Sequence, residues 1–177
     1  MRDRVGRAVD GWALTKAPLG GETTGPTPTD RGKSGVKRSV LTEGHGVPLG
    51  LVVAGANRHD MPLVRPTSES LVVERPEPTA ERPQGMCLDA GYDYAEGYTM
   101  VQEFGLTAQV RPRGEAAQAI KHEAGFTARR WVVQRAHSWM NRFRRLLVRW
   151  EKKPANSLAL LHFAGGLIAL RAAGLFG

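Results

Sequence analysis

The sequence predicts an α/β fold, a mixed sheet flanked by helices, in a single domain covering residues 1–177. Three observations carry this. At 177 residues the chain can bury one substantial core and has little room for a second. Short runs of β-branched and aliphatic residues alternate with longer segments of helical period. Stretches rich in Gly and Pro separate the two kinds of run, as turns and loops do.

From the N-terminus, residues 5–14 alternate weakly about Val9-Asp10-Gly11 and predict a short strand, and the Gly, Thr and Pro run over 18–35 predicts a loop. Residues 36–42 and 47–53 surround Gly44-His45-Gly46 and predict a hairpin. Asn57, His59 and Asp60 offer helix-capping or loop-fixing groups before Pro62. Leu63, Val64, Leu71 and Val72 then predict a helix that Pro66 breaks or delays. Prolines 76, 78 and 83 make 74–85 a surface loop leading into Met86-Cys87-Leu88-Asp89, a buried strand that ends on a carboxylate. Residues 94–104 read as a helix ended by Gly105, and 106–110 as another strand.

No Pro or Gly occurs between 127 and 151, and Val132, Ala136, Trp139, Phe143, Leu146 and Trp150 recur at steps of three or four. This predicts one long amphipathic helix, with Gln134, Ser138, Asn141, Arg145 and Arg149 on its polar face. The apolar stretch 158–170 is interrupted by His162 and is shorter than the ~20 residues a spanning helix needs. It is expected to be a packed helix, so that helices cover 127–173 without a membrane partner.

The formal charge of +8 suits a polyanionic partner, nucleic acid or anionic membrane. Its placement says more. Residues 111–153 hold twelve Lys and Arg against three Glu, an excess greater than that of the whole chain. Arg130, Arg135, Arg142, Arg144, Arg145 and Arg149 could form a solvated helix surface, but the planar fork of arginine matches phosphate and they are expected to contact the DNA backbone. Trp131, Trp139 and Trp150 are expected in the core, and His137 is expected to pack or hydrogen-bond. A single cysteine, Cys87, excludes an internal disulfide framework, and Met1-Arg2-Asp3-Arg4-Val5 has no apolar signal core, so the expected compartment is the cytoplasm.

Three positions bear on chemistry together: Asp10 in the first strand, Asp89 at the end of a later one, and a polar position on the basic helix. Such groups on two neighbouring strands and an adjoining helix can converge on a pair of divalent cations, which demand oxygen ligands. Singly, each has a plainer reading. Asp before Gly is a common turn pair, and Asp89 before Ala90-Gly91 serves equally as a strand-end cap.

The motifs Asp89-Ala90-Gly91-Tyr92-Asp93, Ala56-Asn57-Arg58-His59-Asp60, Asp30-Arg31-Gly32-Lys33-Ser34-Gly35-Val36-Lys37-Arg38 and the run 130–146 resemble bacterial insertion-sequence DDE transposases of the insertion-sequence-five group. The resemblance extends over about 10–171. It implies a ribonuclease-H-like fold and an acidic triad that binds Mg2+ or Mn2+, two ions in an intact site, to cut and rejoin transposon ends. It sets the first aspartate on Asp10, the second on Asp89, and the third acidic position on Gln134, within an R-x-x-x-E pattern opened by Arg130. A neutral amide offers one carbonyl oxygen and no charge against the metal, so impaired catalysis is expected. The helical region that such transposases carry upstream is expected to be missing, because Met1 stands so close to Asp10. The implied partners are double-stranded DNA, as terminal repeats and target, and a second copy of the chain on that DNA. The rival reading is a non-catalytic DNA-binding remnant.

Overall fold

The computed structural model describes residues 7–75, 77–79, 84–88, 95–110 and 130–175. Among them, β1 (Arg7–Lys16) lies at the middle of a six-stranded mixed sheet. On one side it pairs antiparallel with β3 (Ser34–Glu43), which also pairs with short β2 (Gly25–Pro26) and with β4 (Pro48–Gly55). On the other side β5 (Gly85–Leu88) runs parallel to β1, and β6 (Thr107–Val110) parallel to β5. The α/β architecture expected from sequence is present, and a mixed curled sheet flanked by helices is consistent with a ribonuclease-H-like fold. The hairpin between β3 and β4 turns at Gly46, whose φ of 93° suits glycine.

Alternation along the strands gives the sheet two faces. Val9 and Val40 turn towards α3 (Arg130–Asn141) and α4 (Pro154–Ala172), and pack with Leu51, Val132, Val133, Ala136, Met140, Leu161, Ala164 and Ile168. Ala8 and Leu41 turn to the opposite side and pack with Val64 of α1 (Met61–Glu69), Met100 and Val101 of α2 (Ala95–Glu103), Met86 and Leu106. Truncating a wholly buried residue such as Met140 in the first cluster would cost about 2–5 kcal/mol.

Several expectations change in detail. Pro66 sits inside the second turn of α1 without breaking it, at the loss of one ladder bond in a helix that ends three residues later. The helix ends at Glu69, leaving Leu71 packed beyond it and Val72 exposed. The long helix is shorter than its periodicity. α3 stops at Asn141, Phe143 is extended, Arg144–Leu146 form a 3-10 turn, and Val148 bridges Lys16 of β1. Steps of three and four persist through a turn and a 3-10 segment, so the pattern survives the break in the helix. Residues 127–129 lie outside the described residues. By length and composition α4 is apolar enough to cross a membrane, and its inner side, through Leu161, Ala164 and Ile168, packs in the core beside β4.

Candidate active site and basic surface

Asp10 occupies the middle of β1 opposite Leu41, and only 3% of it is exposed. Its Oδ1 accepts a hydrogen bond from Ser39 Oγ at 3.3 Å, and Thr67 Oγ1 of α1 lies 2.9 Å behind Ser39 Oγ. A strand, its neighbour and a helix thus hold one carboxylate in place. Trp12, two residues along and therefore on the same face, is 42% exposed, with Lys37 Nζ 4.6 Å from its ring centroid. Lys37 also pairs with Asp60 and donates to the Arg58 carbonyl. Asp60, expected as a helix cap, makes no side-chain cap hydrogen bond, because its carboxylate is held by Lys37 instead.

β5 delivers the chain beside this carboxylate. It is parallel to β1 with Cys87 in register with Val9, and it ends at Leu88. Asp89 follows and lies outside the described residues.

Helix α3 meets β1 through a glycine. A Cβ at Gly11 would stand 2.6 Å from Val133 Cγ1, so only hydrogen allows this approach. The chain neighbours of Asp10 and Gln134 therefore touch. The two side chains do not share that contact. Asp10 is buried on the α1 side of the strand, whereas Gln134 is exposed on the helix. Among the described residues, no group of three or more His, Cys, Asp or Glu is gathered as a metal cluster.

Beneath this contact lies a polar group that sequence reading missed. Arg38 is 4% exposed; its Nη2 donates to Asn141 Oδ1 at 2.9 Å and its Nη1 approaches the Leu146 carbonyl at 3.5 Å. Burial lowers its pKa. His137, one helical turn before Asn141, is pushed down to about 4, first by burial and then by the nearby Arg38 charge. The signal for Arg38 was present in the alternation, since Val36 and Val40 on either side are core residues of the same strand face.

The arginines expected on a DNA surface divide. Arg130 opens α3. Arg135 stacks its guanidinium 4.0 Å from the Trp131 ring centroid and 5.5 Å from that of Trp139. Arg142, Arg144 and Arg145 are exposed, Arg145 pairing with Glu151 at 2.6 Å. Arg149 is not on that surface. It is 3% exposed, and its guanidinium is engaged by the carbonyls of Glu22, Glu151 and Lys152 and by Thr23 Oγ1. The tryptophans depart from expectation too, because Trp131 and Trp150 stand 42% and 45% exposed. Once the segment after Asn141 leaves the helix, residue 150 no longer shares a face with Val132 and Ala136.

Comparison with known proteins agrees with this arrangement. The pattern of the family described as Transposase DDE domain matches residues 2–165. A curated relative, the putative transposase for insertion sequence element IS402 of Burkholderia cepacia, is 32% identical over 132 residues, which is 73% of this chain and 60% of that protein. The chain thus spans less than two thirds of that relative's length. A central strand carrying a buried aspartate, a parallel strand beside it, a basic helix packed across its glycine and a family match over almost the whole sequence make this chain a member of the DDE transposase family.

Proposed function

We propose that the chain is the catalytic portion of an insertion-sequence transposase of the insertion-sequence-five group, and that Gln134 weakens its chemistry. The observation that carries the proposal is Asp10, a buried carboxylate held by Ser39 on the central strand, with β5 running parallel beside it. Domains of this family act on DNA and use divalent metal ions. Asp10 is a hard anionic oxygen donor and fits such an ion; Asp89 is proposed as the second ligand. Two Mg2+ or Mn2+ ions, when bound, would supply activation of the attacking oxygen and stabilisation of the leaving one.

The protein's own part is to hold the carboxylates and position DNA. Ser39, backed by Thr67, donates to one oxygen of Asp10 and fixes the orientation of the carboxylate. Arg130, Arg135, Arg142, Arg144 and Arg145 are proposed to grip the phosphates of terminal-repeat and target duplexes, in the cytoplasm and as a homodimer on DNA. Gln134 adds an oxygen without charge. At about 4 Å and an effective dielectric of about 20, a missing unit charge is worth about 4 kcal/mol, roughly three orders of magnitude in rate.

The exposed Gln134 also favours a second reading, in which the chain binds transposon ends without cutting them. Incubation of purified chain with terminal-repeat duplex and Mg2+ or Mn2+ separates the two. Under the first reading Gln134→Glu raises nicking by roughly three orders of magnitude, and Asp10→Asn abolishes it. Binding with no nicking by either the native chain or Gln134→Glu would leave only the second.

A further inference from the structure

We infer that the segments 16–33 and 142–153 form one composite surface that grips the phosphate backbone of duplex DNA, with Arg149 as the clasp that holds them together. The inference rests on the DNA-acting reading above and names its surface.

The two segments are distant in sequence but bound along their length. Arg149 donates its backbone N–H to the Lys16 carbonyl at 2.8 Å, Val148 bridges Lys16, and Glu22 N–H donates to the Lys152 carbonyl at 3.1 Å. A Cβ at Gly21 would fall 2.5 Å from Lys152 O, so the backbones touch. Across this junction the Arg149 guanidinium spreads its fork: Nε to Glu151 O at 2.8 Å, Nη1 to Thr23 Oγ1 at 3.3 Å, and Nη2 to Glu22 O and Lys152 O at 2.8 and 3.1 Å. A lysine ammonium on its single stem cannot reach four such divergent acceptors.

Exposed cations surround the clasp. Asp30 bridges Lys16 at 3.1 Å and Lys33 at 4.0 Å, Glu151 pairs with Arg145, and Glu22 acts on the buried Arg149 charge. Those are the acids of the two segments: Asp30 and Glu151 are engaged in ion pairs, and the exposed Glu22 offsets at most one of the surrounding cations. Arg31, Arg142, Arg144, Lys152 and Lys153 remain exposed with no ion pair among the described residues. Arg31 is held out at a pinned turn. Its φ of 52° is left-handed although it is not glycine, and Thr27 O accepts from Gly32 N–H at 3.2 Å while Lys33 O accepts from Thr27 N–H at 2.8 Å.

A row of uncompensated cations needs a partner of matching charge density, and duplex DNA carries about one negative charge per ~1.7 Å. DNA suits the placement better than a bilayer does. The surface is built on Lys16, the last residue of the strand that carries Asp10 and roughly 20 Å along it, so one duplex can span both the surface and the proposed catalytic carboxylate.

The test is the salt dependence of binding of a fluorescent terminal-repeat duplex. Arg31→Ala with Lys153→Ala is expected to lower the slope of log affinity against log salt by roughly 2. The control pair Arg65→Ala and Arg171→Ala, on α1 and α4, is expected to leave the slope unchanged. Arg149→Lys keeps the charge, and is expected both to weaken binding and to open 17–33 to protease. A native slope in the Arg31 and Lys153 variant, with binding intact, would overturn the surface. Native affinity in Arg149→Lys would overturn the clasp. Failure of the unmodified chain to bind duplex, with binding to phosphatidylserine vesicles instead, would overturn the DNA reading itself.

Discussion

The two faces of the sheet treat buried polar groups in opposite ways, and β3 supplies both through consecutive residues. On the α1 side Lys37 is paired with Asp60, and Ser39 links Thr67 to the carboxylate of Asp10. On the α3 side, among the described residues, Arg38 reaches neutral acceptors, Asn141 and the Leu146 carbonyl, and His137 meets the Gly11 backbone. One face holds carboxylates by hydrogen bonds; the other buries a guanidinium beside a histidine kept neutral. The carboxylate expected to take metal therefore lies on the side where Ser39 and Lys37 supply hydrogen bonds to acids. The unmatched charge serves instead to tie β3 to the end of α3.

The comparison can be broken most sharply by acid. His137 titrates near 4 in the folded chain against 6.5 unfolded, so the unfolded chain takes up a proton that the folded one refuses. Its effect on stability is constant above about pH 6.5 and is lost progressively as pH falls towards about 4. The expected total loss is about 3 kcal/mol. Urea unfolding across that window should show the fall in the native chain and a shallower one in His137→Gln; equal slopes would refute the neutral, buried histidine. Next in size, Asn141→Ala removes the side-chain acceptor of a buried guanidinium and should cost about 2 kcal/mol in the same assay. Smallest is Ser39→Ala on the opposite face, at about 1 kcal/mol, because the carboxylate it serves is part of a wider polar set. If Ser39→Ala proved the costlier of the two, the contrast between the faces would be reversed.

Much of the fold was legible because its signals are local. The alternating run about Asp10, the glycine turn between β3 and β4, the stop at Gly105 and the strand leading to Asp89 each depend on a few neighbouring residues. The limit of α3 was not legible, since Phe143, Leu146 and Trp150 keep helical spacing while the chain leaves the helix. What ends it is remote: Arg38 of β3 draws on Asn141 and Leu146, and Lys16 pairs with Val148. The same remoteness hid Arg149. By composition it was one arginine among the six expected on DNA, and only its neighbours from 22–23 show that it is a structural clasp.

By itself the sequence determined the order of elements, the concentration of positive charge in 111–153, and the motifs around Asp89 and Gln134 that resemble one family. Each is a property of residue type and spacing, which the chain carries before it folds. The tertiary structure alone decided which cations face solvent, which of Lys37 and Arg38 meets an acid, and that Gly11 brings α3 onto the strand of Asp10. Those outcomes depend on which segments meet across the sheet, because burial and charge pairing arise between distant residues and not within any one segment.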